Sequence, residues 1–283
     1  MKVNQLNLGT QTLLGDFNAI SFSSSDNGVI AGDMGAVYAI TSATTNAVVT
    51  KLTSVPNTNY TKIATSNSSY ATAIDQGGNL YKLDMSSTGH TTLSTGGDNF
   101  VELGINGGSV YAVNAQPTNA LVSKYSASNP QNPPSASYTY ANSGMDGMVR
   151  TLVAFGSNQM LVAGVNGTIG NYSGSWNSTA VNITPSNLTQ VHAVKGTNQV
   201  WVSGEGGNLL KSDNNATGFA KQITGVKYKL GQMSFYAIND GYINGEDGKY
   251  LNSNGTALNQ REINIDANVN QILAEAAGQA YIF

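Results

Sequence analysis

The sequence predicts an all-β chain folded as a single seven-bladed β-propeller, with four antiparallel strands in each blade. Three observations carry that expectation: a repeat of about forty residues, short strand-like runs broken by glycine-rich turns, and polarity drawn from Asn, Ser and Thr instead of charge. Only 10% of the 283 residues are charged, yet runs of Val, Ile, Leu and Tyr recur throughout, so the chain has the apolar segments that disordered sequences lack.

The repeat consists of a strand-like run, a polar turn, a second run ending near Gly, a short turn containing Gly, and a third run. It is clearest at Gly28 to Gly32, Asp33-Met34-Gly35 and Ala36 to Ile40, and again at Tyr70 to Ile74, Asp75-Gln76-Gly77-Gly78 and Asn79 to Leu83. The same order returns at Met160 to Gly164, at Val200 to Gly204 and at Gly241 to Gly245, and a degenerate copy lies at Ser109 to Val113. Marker positions 32, 74, 113, 164, 204 and 245 give spacings of 42, 39, 51, 40 and 41. The long interval contains Ser126 to Ser135, whose prolines and small polar residues mark a loop insertion.

A strand following each copy, such as Ala47 to Leu52, makes four per blade. First strands such as Leu152 to Phe155 are expected to be apolar on both faces, because neighbouring blades pack on them. Blades are expected at about 16–54, 55–96, 97–145, 146–185, 186–225 and 226–266. The seventh would combine 267–283 with 1–15, hiding both sheet edges by pairing the two ends of the chain. An open β-solenoid is the rival architecture, but its repeats are usually shorter.

The segment Gly204-Glu205-Gly206-Gly207-Asn208-Leu209-Leu210-Lys211-Ser212-Asp213-Asn214-Asn215-Ala216-Thr217-Gly218-Phe219 has a fainter echo in Leu251-Asn252-Ser253-Asn254-Gly255-Thr256. Both resemble the BNR or Asp-box repeat family, which includes sialidase-like propellers and propellers of the photosystem-assembly-factor type. The resemblance implies the fold more than an activity. A sialidase-like site would need three arginines on a carboxylate, and the chain has only Arg150 and Arg261, so no enzymatic activity of that kind is expected.

Composition narrows the partners. A net charge of -3 with 13 scattered Lys and Arg residues offers no basic stripe for nucleic acid. No cysteine is present, so thiolate metal sites are excluded, and His90 and His192 alone make no histidine metal site; no cofactor is expected. No stretch approaches the ~20 apolar residues of a membrane span, and the first eight residues lack the apolar run of a signal peptide. His192 is placed on an inner strand and His90 in a loop.

Two groups of candidate binding residues remain. Asp33, Asp75, Glu205, Glu246 and Asp247 occupy corresponding turns, where they either form an acidic docking rim or serve ordinary turn chemistry. Tyr138, Tyr140, Tyr172 and Trp176 cluster around the insertion and the fourth repeat, as candidates for protein or sugar recognition or as cover for outer strands. Gly204 to Asn208 superficially matches phosphate loops, but no helix follows it. Asn-x-Ser/Thr sequons begin at Asn59, Asn67, Asn166, Asn171, Asn177, Asn187, Asn215 and Asn254, with another at Asn182 before a proline. Low charge and abundant neutral polar residues point to a non-catalytic structural or attachment protein at an exterior surface, a virion component or cell-surface protein that recognises protein or glycan. An intracellular assembly factor or interaction scaffold is the alternative, and a carbohydrate-active enzyme the third.

Overall fold

The computed structural model describes residues 16–24, 26–42, 48–86, 89–94, 99–114, 116, 120–131, 133–140, 145, 148–156, 158–177, 184–238, 240–254, 257–262, 272–276 and 279–282. Among these the regular structure is strand, interrupted by three 3-10 turns. Contacts divide the chain into two compact units, one of residues 5–141 and one drawn mainly from 142–283.

The first unit holds three antiparallel sheets. They are β1 (Phe17–Phe22), β2 (Gly28–Gly32), β3 (Val37–Thr41) and β4 (Val48–Lys51); β5 (Tyr60–Ala64), β6 (Tyr70–Asp75), β7 (Leu80–Asp84) and β8 (His90–Ser94); and β9 (Phe100–Asn106), β10 (Ser109–Asn114), β11 (Leu121–Ser126) and β12 (Ala136–Thr139). The second unit repeats the plan with β13 (Val149–Gly156), β14 (Gln159–Gly164), β15 (Ile169–Ser173) and β16 (Trp176–Asn177). It continues with β17 (Leu188–Ala193), β18 (Val200–Gly204), β19 (Leu209–Ser212) and β20 (Ala220–Lys221), and then β21 (Met233–Ala237), β22 (Asp240–Asn244), β23 (Lys249–Asn254) and β24 (Leu258–Glu262). A hairpin of β25 (Ile272–Ala276) and β26 (Gln279–Ile282) follows.

The expectation of seven four-stranded blades is thereby corrected. Among the described residues six sheets have four strands, and the stretch after Glu262 contributes a two-stranded hairpin. The strands assigned to residues 1–15, and the pairing of the two chain ends, lie outside the described residues.

Within each sheet the strands are neighbours in sequence order, so each sheet is a meander with local hairpin connections. First strands lie beside the first strand of the next sheet: β1 by β5 and β5 by β9, and likewise β13 by β17, β17 by β21 and β21 by β25. The most buried strands are nevertheless the second ones, which corrects the expectation made for the first. Every residue of β2 and β18 is buried, whereas β1 and β17 alternate buried with half-exposed positions. β18 is covered by sheets on both faces, with Val200 and Val202 packed towards β13–β16 and Trp201 towards β21–β24, which is why Val-Trp-Val-Ser-Gly is nearly continuous in small and apolar residues. Fourth strands such as β4 are largely open to solvent.

The cores sit between successive sheets. One joins Val29 and Val37 to Tyr60, Ile63 and Leu83. Another joins Trp201 and Leu209 to Met233, Phe235 and Ile243, with the indole of Trp201 stacked on Phe235 at 4.8 Å between centroids and 13° between planes. One charged pair spans first strands: Lys62 of β5 meets Glu102 of β9 at 2.8 Å, with the Glu102 side chain buried and its other oxygen accepting from the Leu103 amide.

Candidate functional site

Three of the turns between second and third strands are built to one plan. In Asp33-Met34-Gly35, Val165-Asn166-Gly167 and Glu205-Gly206-Gly207 the middle residue is left-handed, with φ of 52°, 54° and 64°, and the glycine after it has φ 70°. The final glycine packs against the chain entering the next sheet. A β-carbon on Gly207 would lie 2.0 Å from the Val226 carbonyl oxygen, and one on Gly35 would lie 2.9 Å from that of Pro56. In the same contacts the Gly35 amide donates to the Thr58 carbonyl and the Gly207 amide to the Tyr228 carbonyl, both at 2.8 Å.

Asparagines complete this joint. Asn59 Oδ1 accepts from the Met34 amide at 3.0 Å, and its backbone carbonyl accepts from Gln76. Asn187 does the same work in the second unit: Oδ1 accepts from the Asn166 amide at 3.1 Å, its carbonyl accepts from the Glu205 amide, and Nδ2 donates to Glu205 Oε2 at 3.0 Å. Each asparagine thus ties the turn of one sheet to the turn of the next. Both were visible in the sequence only as sequon residues; the usable signal was their recurrence at the entry to a first strand. Asn67, another sequon residue, accepts from the Ser69 and Tyr70 amides and donates to the Ala127 carbonyl inside the insertion.

Placed on this frame, the acidic turn residues differ from one another. Asp33 is half-buried and accepts from Asn18 at 2.8 Å. Asp75 is buried: its carboxylate accepts from the Asn79 amide and side chain, from the Tyr81 hydroxyl at 2.9 Å and from Thr58 Oγ1 at 3.2 Å. Burial alone would raise its pKa, but these hydrogen bonds, those of Asn79 foremost, carry it below the ordinary carboxylate value. Burial together with the Asp75 charge pushes the Tyr81 hydroxyl up to about 12, so it stays a donor. Glu205 is held by Asn187, whereas Glu246 and Asp247 are exposed and Asp247 lies 3.7 Å from Lys249. No two of the five share a hydrogen bond.

The aromatic candidates also separate. Tyr140 is buried and donates to the Asn114 carbonyl at 2.6 Å, and Tyr138 is half-buried on β12. Tyr172 and Trp176 are cross-strand partners on β15 and β16, with ring centroids 5.1 Å apart. The two arginines stand in different sheets, Arg150 on β13 and Arg261 on β24. His90 opens β8, not a loop as expected, and its Nδ1 lies 2.9 Å from the Ser54 carbonyl oxygen. His192 lies on β17, where Nε2 accepts from the Phe235 amide at 3.3 Å and the ring packs on Phe235. Among the described residues no three His, Asp or Glu side chains converge as a metal-holding group, and no helix is long and apolar enough to cross a membrane.

Desolvation lowers the His192 pKa from 6.5 to about 4. The unfolded chain therefore binds a proton between those values that the folded chain refuses. Stability is expected to be full above pH 6.5 and to fall by up to about 3 kcal/mol on acidification towards pH 4. Urea midpoints measured across this window check it, and His192→Gln is expected to flatten the slope there.

Neither a family model nor the sequence of a characterised protein matches the chain. Solved structures do. The WD40 β-propeller domain of Doa1 superposes with a TM-score of 0.74 at 12% identity, over 96% of this chain and 90% of that one. YCF48 from Cyanidioschyzon merolae gives 0.69 at 12% identity over 94% and 91%. A structure of YCF48 bound to D1 peptide gives 0.62 at 16% identity over 91% and 82%. The chain is a β-propeller, with six four-stranded blades among the described residues, similar to those of YCF48 and Doa1.

Proposed function

We propose that this propeller is a non-catalytic protein-binding platform. The observation that carries this reading is the division of labour among its polar groups. Asp33, Asp75 and Glu205 are engaged in hydrogen bonds within their own sheets, while Lys221, Lys227 and Lys229, in no ion pair among the described residues, and the apolar side chains of Ile223, Tyr236 and Ile238 stand in solvent. Exposed apolar groups beside unspent charge suit a macromolecular partner better than chemistry on a small substrate. The structure of YCF48 bound to D1 peptide supports the reading, because a propeller of similar fold takes a peptide there.

An exterior setting, as a virion or cell-surface component, is the location we favour, from the scarcity of charge and the abundance of neutral polar residues. The second reading is an intracellular assembly scaffold, favoured by the likeness to YCF48. Fractionating source material with an antibody to the chain separates them. Recovery with particles or envelope supports the exterior setting, and recovery in cytosol with one client complex supports the scaffold. Recovery only as free chain in every fraction would overturn the platform itself.

A further inference from the structure

The last strand of the β17–β20 sheet is short, but the chain stays extended beyond it. From Lys221 to Lys229 exposure alternates strictly: Lys221, Ile223, Gly225, Lys227 and Lys229 are exposed, and Gln222, Thr224, Val226 and Tyr228 are half-buried. The even-numbered residues hold the segment to its own sheet. The Gln222 amide donates to Leu209, Thr224 Oγ1 donates to the Gly207 carbonyl, and the Tyr228 carbonyl accepts from the Gly207 amide. Val226 and Tyr228 also pack on the core shared with the β21–β24 sheet.

The odd-numbered residues are exposed, and among the described residues no strand pairs with them. The backbones of Ile223, Gly225, Lys227 and Lys229 make no hydrogen bond among the described residues. Gly225, at φ 71°, bends the segment into two extended runs. Such an unpaired edge is a template for another strand.

Charge and apolar character specify what fits. No acidic residue occurs between Asp213 and Asp240, and the three basic residues in that interval are Lys221, Lys227 and Lys229. None of the three is in an ion pair among the described residues, although the whole chain carries -3. A fourth lysine, Lys249, lies 5.9 Å over the Tyr228 ring, its charge partly answered by Asp247. Between the lysines stands Ile223, 94% exposed.

We propose that residues 221–229 form a docking edge for an extended acidic peptide segment. The segment adds as a strand beside Ile223, sets an apolar side chain on that residue, and places carboxylates at every second position against Lys221, Lys227 and Lys229. This rests on the platform reading and names its site and the chemistry of its partner.

The test is a titration of the full chain with a fluorescein-labelled peptide of sequence Glu-Thr-Glu-Thr-Thr-Thr-Val-Thr-Glu, whose alternate residues, paired antiparallel, bring carboxylates to Lys229, Lys227 and Lys221 and the valine to Ile223, followed by anisotropy. Binding is expected to weaken with added salt. It is expected to fall at least about tenfold in the variant carrying Lys221→Glu, Lys227→Glu and Lys229→Glu, and several-fold in Ile223→Asp. These side chains are exposed, and unchanged melting temperatures would confirm folded variants. A peptide of the same charge in which prolines remove alternate backbone donors is expected to bind at least about tenfold more weakly. The proposal is overturned by no binding to the unaltered chain, by equal binding to the variants, by equal binding of the proline peptide, or by tighter binding of phosphatidylserine vesicles or single-stranded DNA. If a native partner exists and the triple variant captures it as well as the unaltered chain does, this edge is wrong while the platform stands; if the peptide binds as expected and no native partner is ever found, the platform reading is the one that fails.

Discussion

Replacing Gly207 by alanine is expected to destabilise the second unit by more than about 3 kcal/mol, whereas alanine at the adjacent Gly206 costs about 1 kcal/mol. Both glycines are left-handed, at φ 70° and 64°, so the conformational penalty is similar. The surroundings differ. A β-carbon on Gly207 would fall 2.0 Å from the Val226 carbonyl oxygen, backbone that is itself anchored by the Gly207–Tyr228 hydrogen bond, while one on Gly206 meets only Asn208 Nδ2 at 3.6 Å. Gly206→Asn is expected to be milder still, since Asn166 occupies the equivalent position of the preceding sheet with φ 54°. Urea unfolding of the three variants checks the order. Equal losses at the two glycines would mean that the turn does not press on the incoming chain.

Trp201→Ala is expected to cost about 3–5 kcal/mol, the range for removing a buried aromatic ring. Trp201 is 3% exposed, stacks on Phe235, and donates from Nε1 to Gln199 Oε1 at 2.8 Å. Its loss opens a cavity between the β17–β20 and β21–β24 sheets and strips a partner from Gln199. Trp201→Phe is expected to recover most of the packing and leave only the hydrogen-bond loss of about 1 kcal/mol. Denaturant unfolding monitored by circular dichroism measures both.

The repeat was legible because its grammar is local. A run such as Met160 to Gly164 followed by Val165-Asn166-Gly167 needs only a buried strand and a left-handed turn, and both are written in adjacent residues. Blade number was not legible in the same way. A seventh blade built from 267–283 and 1–15 depends on pairing segments from opposite ends of the chain, which spacing does not establish, and among the described residues 267–283 contributes one two-stranded hairpin. The order of burial within a sheet was hidden for a related reason: Leu152 to Phe155 and Met160 to Gly164 are equally apolar, and only the stacking of sheets decides which is covered on both faces. Among the candidate residues, equivalence of position did not mean equivalence of role. Asp75 and Asp247 both sit at turns, yet the first is buried under Asn79, Tyr81 and Thr58 and the second stands in solvent. The partners that decide this lie up to 17 residues away, beyond the reach of spacing arguments. The edge from Lys221 to Lys229 is not legible in the sequence because its basic residues are few, and their alternation with half-buried neighbours becomes informative only once the outer edge of the sheet is known.

The platform reading is tested most directly by crosslinking the native protein in its source and determining the mass of the species that contains it. The account predicts a band well above the 29.5 kDa of the chain, holding a second protein in a fixed ratio. A chain that remains at 29.5 kDa under all crosslinking conditions would contradict it.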